Sequence, residues 1–377
     1  MNLAELETPC LVLDRAKMTK NVAALHARLQ RLGVGLRPHG KTGKNIDSLR
    51  PTLAGQPGGI TVSTLKEAEY YFGHGIRDIV YAVGIAPVKL DRVAGLIQKG
   101  ARITVILDSV AQARAVAAKA REHGVTLPAL IEIDSDGHRS GVEPGDPLLV
   151  DIGRILHAEK GTALAGVLTH AGASYDCKSV DAIRAMAQTE RDGAVACAEA
   201  LRRSGLPCPV VSVGSTPTAF FAEDLSGVTE VRAGVFLFFD LVMAGLGVCR
   251  PQDIAVSVLA SIIGHQRRRG WAITDAGWMA LSRDRGTASQ SVDQGYGLVC
   301  DRAGGLLPGL VVQATNQEHG IVADRSGKPV DWDALPIGSA VRILPNHACA
   351  TAAMFDRYHV TDGSTEVVDV WHRVNGW

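Results

Sequence analysis

The sequence has 377 residues, of which 46% are hydrophobic, and its 39 Lys and Arg balance 39 Asp and Glu to a formal net charge of zero. That length holds roughly two domains, and the lack of a basic excess argues against a nucleic-acid or membrane-surface partner. The opening Met1-Asn2-Leu3-Ala4-Glu5-Leu6-Glu7 has no basic n-region and no apolar h-region, so no signal peptide is expected; no uncharged run reaches about 18 apolar residues.

In chain order, short β-branched runs alternate with segments of helical periodicity through the first two-thirds. Strands are predicted at 34–37, 59–63, 78–83, 102–107, 129–134, 164–170, 209–213 and 230–236. Helical patterns fill 16–31, where Leu25, Leu29 and Leu32 recur at three- and four-residue spacing, and also 65–72, 110–123 and about 180–204. Such alternation predicts βα units and a parallel sheet, and eight units predict a closed (β/α)8 barrel. An open doubly wound sheet would need a Gly-rich dinucleotide or Walker loop after an early strand, and none is present. After about Gly245, apolar runs at 255–259, 271–274, 310–312, 340–344 and 367–371 are joined by Gly- and Asp-rich links rather than helices. The expectation is therefore an α/β protein with a barrel over 1–245 and a mostly antiparallel β domain over 246–377.

Functional groups of a parallel barrel sit at the carboxyl ends of its strands. The first predicted strand ends in Arg37-Pro38-His39-Gly40-Lys41-Thr42, and a lysine in a barrel mouth can become nucleophilic toward aldehydes. The fifth ends in Asp134-Ser135-Asp136-Gly137-His138-Arg139-Ser140-Gly141, a turn or an anion site; a turn alone does not explain Arg139. The sixth ends in Thr169-His170-Ala171-Gly172. The seventh ends in Ser212-Val213-Gly214-Ser215-Thr216-Pro217-Thr218. There Gly214 permits close backbone approach, Ser215 and Thr216 add hydroxyl donors, and Pro217 suits the first position of a helix. Either a phosphate-binding turn or an ordinary N-capped helix fits that run. Arg232 lies in the apolar eighth strand, where a buried guanidinium requires an acceptor.

The seven cysteines are scattered and odd in number, the usage of reduced cytosolic thiols. Cys10, Cys177, Cys197, Cys208, Cys249 and Cys300 read as packing residues. Cys349 differs, because Asn346-His347-Ala348-Cys349 sets an imidazole and a thiol two apart. On an extended segment both face one side and can share a metal, with zinc favoured by the soft thiolate. Gln317-Glu318-His319-Gly320 is either a source of a third ligand, an orienting group, or a polar hairpin.

Together Thr8-Pro9-Cys10-Leu11-Val12-Leu13-Asp14, the run around Lys41, Asp136-Gly137-His138-Arg139-Ser140-Gly141, Thr169-His170-Ala171-Gly172 and His347-Ala348-Cys349 resemble, nearly end to end, the D-serine dehydratase and D-threonine aldolase family. Its members are fold-type III pyridoxal 5'-phosphate (PLP) enzymes related to alanine racemase. The resemblance implies that Lys41 forms the Schiff base and removes the α-proton, that Arg139 meets the PLP phenolate oxygen and that His170 lies against the pyridine ring. It implies that Ser212, Gly214, Ser215 and Thr216 hold the phosphate, that Arg232 faces the pyridine nitrogen and that His347 and Cys349 bind a divalent metal, zinc first, with manganese or magnesium as alternatives. Tyr175 is a substrate contact by position.

The implied reaction is loss of water from a D-3-hydroxy amino acid to give a 2-oxo acid and ammonia. The aldolase alternative cleaves the same substrates to glycine and an aldehyde. The dehydratases of the family carry His-x-Cys where its aldolases carry His-x-Asp, which favours dehydratase. A racemase, with Tyr296 as its second base, and a non-catalytic PLP-binding barrel are the remaining readings. For a carboxylate on the β-carbon, His138, Arg283 and Arg285 are the candidate cations. A cytoplasmic homodimer acting on a small amino acid, without nucleic acid or membrane, completes the expectation.

Overall fold

The apolar run at the start of the chain folds first into β1 (Cys10–Asp14), whose five residues are all buried, and then into α1 (Arg15–Arg31). The computed structural model describes residues 1–377 and divides them into two compact units, one of 25–234 with 376–377 and the other of 1–24 with 235–375.

The unit of 25–234 is the barrel. Its strands are β2 (Gly35–Pro38), β3 (Ile60–Val62), β4 (Asp78–Gly84), β5 (Arg102–Leu107), β6 (Leu127–Ile133), β7 (Thr162–Thr169), β8 (Val210–Val213) and β9 (Glu230–Ala233). They are hydrogen-bonded in parallel in the order β2-β9-β8-β7-β6-β5-β4-β3. A single bridge, His39 to Thr61, with the Gly40 N–H donating to the Thr61 carbonyl at 2.8 Å, brings the last edge back to the first. All eight predicted strands are present. Between them run α2 (Ile46–Leu53), α3 (Leu65–Gly73), α4 (Leu90–Gln98), α5 (Val110–His123), α6 (Leu148–Ala158), α7 (Val180–Arg203) and α8 (Thr216–Phe221). The chain marks most βα junctions with a capping side chain: Asn45, Thr64, Ser109, Ser179 and Ser215 each accept an amide of the following helix. Val80, Ile106, Leu130 and Leu168, one from each of β4 to β7, form one buried cluster.

The other unit is built on a nine-stranded sheet. It adds β10 (Val256–Gln266), β11 (Trp271–Thr274), β12 (Leu298–Cys300), β13 (Leu306–Thr315), β14 (Gly320–Asp324), β15 (Ala340–Leu344), β16 (Arg357–Thr361) and β17 (Val367–His372) to β1, in the order β11-β14-β13-β12-β15-β10-β1-β16-β17. Only β1 and β16 pair in parallel. Short helices α9 (Leu241–Gly245), α10 (Trp278–Leu281) and α11 (Ala348–Ala352) interrupt it.

This division differs from the expected 1–245 and 246–377. β1 is an interior strand of the second sheet, antiparallel to β10 and parallel to β16, with Leu11, Val12 and Leu13 at most 1% exposed. Its hydrogen bonds on both edges tie the N-terminus to the C-terminal half. No helix is long and apolar enough to cross a membrane.

Barrel closure leaves no room at Gly166, where φ is +133° and an added Cβ would lie 2.0 Å from the Val210 carbonyl oxygen of the neighbouring strand. Gly166→Ala is expected to lower unfolding free energy by at least about 2 kcal/mol in urea titrations, because both the left-handed backbone and the β7–β8 ladder must yield.

Candidate active site residues

Each strand end of the barrel presents its expected residues on a loop pinned from several sides. Past β2, the Tyr71 hydroxyl donates to the Gly40 carbonyl at 3.0 Å, and a Cβ on Gly40 would stand 2.6 Å from the Tyr71 ring. Glycine is therefore required there by the close approach of a buried ring. Four residues on, Lys44 has φ +47° and pairs through Nζ with the buried Glu67 at 3.1 Å. The loop is held while the Lys41 side chain itself stays exposed.

Past β6, the Ser135 and Thr169 hydroxyls lie 2.7 Å apart, and the Ala173 N–H donates to Asp136 at 2.8 Å, so this loop is tied to the end of β7. Arg139 reaches Glu132 at 3.3 Å. Burial raises the Glu132 carboxyl while Arg139 pulls it back down. His138 packs over Gly172, whose added Cβ would meet it at 2.3 Å.

Past β7, His170 donates from Nδ1 to the Gly214 carbonyl at 2.9 Å, and the Tyr175 ring centroid lies 6.2 Å from its own. Burial pushes the His170 imidazole down to about 3, and the charges of Lys41, Arg232 and Arg139 add to the shift. His39 is also driven well below its ordinary value, by burial first and then by Lys41 and Arg232. The charges of Lys41, Arg139 and Arg232 thus all reach His170.

Past β8, Gly214 has φ +137°, and an added Cβ would lie 2.1 Å from the Arg232 carbonyl oxygen. Its N–H donates to Glu190 at 3.0 Å, while the Ser215 N–H donates to the Thr218 hydroxyl at 3.1 Å. Pro217 takes the second helical position rather than the first and has no N–H. The open amides expected of this turn are in part already engaged. Ser212 also departs from its expected role. Its hydroxyl donates to Glu230 and accepts from Arg232 Nε, both at 2.8 Å, so its one proton is unavailable to a phosphate. Arg232, 5% exposed, is held by Ser212 and by the Thr169 carbonyl, with no carboxylate in direct contact. An amine, a buried guanidinium, two uncharged imidazoles and a glycine surface form a set that fits an anionic aromatic aldehyde such as PLP.

In the second unit, Asn346 is buried and donates to the Gly295 carbonyl at 2.7 Å. His347 then adopts an extended conformation and caps α11, of which Cys349 is the second residue. The predicted extended segment is thus a strand-to-helix corner. The thiol and imidazole nonetheless share a hydrogen bond. His347 donates from Nδ1 to Asp284 at 2.6 Å, which leaves Nε2 for a metal. Burial opposes charge on His347, but Asp284, Cys349 and Asp240 outweigh it and hold the imidazole up at about 11. A metal entering this pair displaces that proton.

Asp240, buried, accepts the Ala348 N–H at 3.0 Å. Asp284 follows Ser282, a non-glycine residue at φ +72°. Sequence reasoning missed both carboxylates. Gln317, Glu318 and His319 are exposed at the turn between β13 and β14, the hairpin alternative. The one trio of His, Cys, Asp or Glu ligand atoms mutually within 4.8 Å is the surface group Asp91, Glu122 and His123. The nitrogen and sulfur donors of His347 and Cys349 fit zinc, with its other positions left to water or substrate. Arg285 is neutralised by Asp293 and covers Tyr296, whereas Arg283 stacks on Trp278 at 4.1 Å without a carboxylate partner.

Residues 13–242 match the family described as alanine racemase, N-terminal domain, and residues 255–361 match a putative serine dehydratase domain. The chain is 54% identical to the D-threo-3-hydroxyaspartate dehydratase of Delftia sp. (strain HT23), over 100% of this chain and 99% of that protein. The solved structure of that enzyme covers 100% of both chains with a TM-score of 0.97 and 53% identity. The 3-hydroxy-D-aspartate aldolase of Paracoccus denitrificans (strain Pd 1222) is 27% identical, over 98% of this chain and 92% of that one. Alanine racemase of Clostridium difficile 630, at 15% identity and TM-score 0.70 over 97% of this chain and 99% of that one, shares the fold.

The neutral imidazoles make stability depend on pH with a definite sign. Above about pH 6.5 His170 is uncharged in both folded and unfolded chains. Below it the unfolded chain binds a proton that the folded one refuses, so stability falls by about 1.4 kcal/mol per pH unit toward the depressed folded value. Glu132 and Glu190, raised by burial, act in the opposite direction. Urea unfolding of the cofactor-free protein from about pH 7 to about pH 5 is expected to show a shallower acid loss in His170→Gln than in the unsubstituted chain.

Proposed function

This chain belongs to the D-serine dehydratase and D-threonine aldolase family, and from that membership together with the donor set at Lys41, His347 and Cys349 we infer that it is a PLP- and metal-dependent lyase that removes water from D-3-hydroxy amino acids. D-threo-3-hydroxyaspartate is the foremost substrate, by likeness to the Delftia enzyme. The products are a 2-oxo acid and ammonia.

In this reading Lys41 Nζ would hold the cofactor and would serve as the base that takes the proton from Cα. His170 offers its uncharged ring face, and its Nδ1 hydrogen bond to Gly214 prevents rotation. Arg232 would face the pyridine nitrogen and Arg139 the phenolate oxygen, while the Gly214–Thr216 turn would receive the phosphate, Gly214 by leaving the approach open rather than by its N–H, which Glu190 holds. Tyr175 stands beside His170 toward the substrate. When bound, PLP supplies the electron sink for breaking the Cα–H bond. In the second unit, Asp284 fixes the His347 tautomer so that Nε2 and the Cys349 thiolate hold the metal. When bound, the metal supplies Lewis acidity that makes the β-hydroxyl a better leaving group.

The observation that carries dehydration over aldol cleavage is the sulfur donor at Cys349. The family reading also carries a cytoplasmic homodimer, which light scattering would test for size. Purified protein incubated with D-threo-3-hydroxyaspartate, D-serine and D-threonine is expected to release ammonia and 2-oxo acid, and to stop after exhaustive chelation. Glycine as the main product would mean an aldolase, and activity indifferent to chelation would remove the metal role of His347 and Cys349.

Arg283, free of any carboxylate and next to Asp284, is the better placed cation for a β-carboxylate. Arg283→Met is expected to raise KM for 3-hydroxyaspartate about tenfold or more, with D-serine changed less than about twofold. Arg285→Met, whose guanidinium is already paired, serves as the comparison and should discriminate little.

A further inference from the structure

A carboxylate that is 2% exposed in the middle of α7 requires a reason, because burial of an acid is costly unless hydrogen bonds offset it. Glu190 has such bonds. Its Oε1 accepts the Ala171 N–H at 2.9 Å and the Gly214 N–H at 3.0 Å. The Thr218 hydroxyl also bonds to its carboxylate.

These partners are not arbitrary. The ladder between β7 and β8 runs from Gly166↔Val210 to Leu168↔Ser212 and stops. Beyond that point the two strand ends are joined by Glu190, whose single oxygen collects one amide from each. The Gly214 carbonyl, on the other side of the same residue, accepts from His170 Nδ1 at 2.9 Å. Imidazole, Gly214, carboxylate and Ala171 therefore close a ring of hydrogen bonds that returns through the backbone to His170. Thr218 extends that ring into the first turn of α8, where Ser215 and Thr218 form a capping box.

We propose that Glu190 is the positioning residue of the cofactor cradle: it locks the ring of His170 and the Gly214–Thr216 turn in one fixed relation, so that the ring face and the phosphate-binding turn meet PLP together. The proposal rests on the PLP reading above. Glu190 touches neither cofactor nor substrate and acts through His170 and Gly214. Its two amide partners lie 19 and 24 residues away in sequence, so the helix is the part that sets their spacing. What matters in this role is where an acceptor oxygen sits. The charge is secondary, since burial already works against it and raises its proton affinity.

Three substitutions separate position from charge. Glu190→Gln keeps an acceptor oxygen at the same reach, Glu190→Asp keeps the charge but withdraws it by one methylene, and Glu190→Leu fills the space with no acceptor. Cofactor-free protein is titrated with PLP, and Kd, the absorption band of the bound cofactor and the Tm of the cofactor-free chain are read. The Asp and Leu variants are expected to raise Kd about tenfold or more and to shift the band, with Gln within about threefold of the unsubstituted chain. If Leu does not fold, the Asp and Gln pair decides.

An Asp variant that binds PLP like the unsubstituted protein overturns the proposal. A Gln variant as weak as Asp also overturns it, since the role would then be charge. A fall in Tm with Kd and band unchanged reduces Glu190 to a structural residue. Failure of the unsubstituted chain to take up PLP, or to be labelled at Lys41 on borohydride reduction, overturns the PLP reading and this proposal with it. Uptake and labelling with all variants unchanged overturns this proposal alone.

Discussion

The barrel unit depends on keeping one guanidinium charged inside a ring of strands. Arg232 spends its Nε on Ser212 and a terminal nitrogen on the Thr169 carbonyl, and the compensating negative charge lies one step further away. The Ser212 hydroxyl donates to Glu230, Glu230 pairs with Arg37 at 2.8 Å, and Arg37 pairs with Asp78 at 2.8 Å. Two cations and two anions alternate along this line, so the line is neutral overall while no carboxylate touches Arg232. Removing one member leaves a buried charge unmatched, which typically costs about 3–5 kcal/mol. Well-packed apolar residues could replace the whole line at similar or better stability. The line is therefore better explained by what Arg232 is needed for than by any contribution to stability. The hydrogen-bond partners of Arg232 are neutral, and Glu230, Glu190 and Glu132 act on it only from a distance.

The two units carry opposite electrostatics. Around Lys41 the fixed charges are Arg139 and Arg232, and the imidazoles between them are neutral because they are buried among cations. Around His347 the fixed groups are Asp284, Asp240 and the Cys349 thiol, and the imidazole is driven toward its charged form. The first environment suits an anionic cofactor, the second a metal cation. Backbone strain follows the same division. The three non-glycine residues with positive φ are Lys44, Phe239 and Ser282, within three residues of Lys41, Asp240 and Asp284 respectively. Strained positions persist where surrounding structure over-determines them, and here they lie beside groups of the two candidate sites.

The barrel was legible because its signals are local. Eight β-branched runs locate the strands, the strand-end rule then points to Lys41, His170 and Gly214, and Arg232 stands out as a charge inside an apolar strand. What escaped was set by distant contacts. Cys10-Leu11-Val12-Leu13-Asp14 is an apolar run in the first residues, and nothing in it tells which sheet receives it; its partners lie on β10 and β16. Helix α2 carries Pro51 internally, which masks its periodicity. Glu190 sits in Gln188-Thr189-Glu190-Arg191-Asp192, a stretch that reads as a solvated face, and only the fold buries it. His347 and Cys349 were found from a spacing rule for extended chain, yet they occupy a helix start, where proximity of i and i+2 arises from the corner instead. The hydroxyls of Ser212 and Ser215 were legible as donors, but the direction in which they donate is decided by Glu230 and Thr218.

Fold alone leaves the reaction open, since an alanine racemase of 15% identity shares this architecture. In the proposed reading the barrel groups all bear on Cα and the cofactor, with Lys41 as base, neutral imidazoles beside it and arginines for the ring. Proton removal at Cα and cleavage of Cα–Cβ draw on the same electron sink, so those groups serve either outcome. The choice has to be made by whatever governs the β-substituent. In the proposed reading those groups are the thiol of Cys349, in place of a carboxylate, and the charge of Arg283, which stacks on Trp278 without a carboxylate partner.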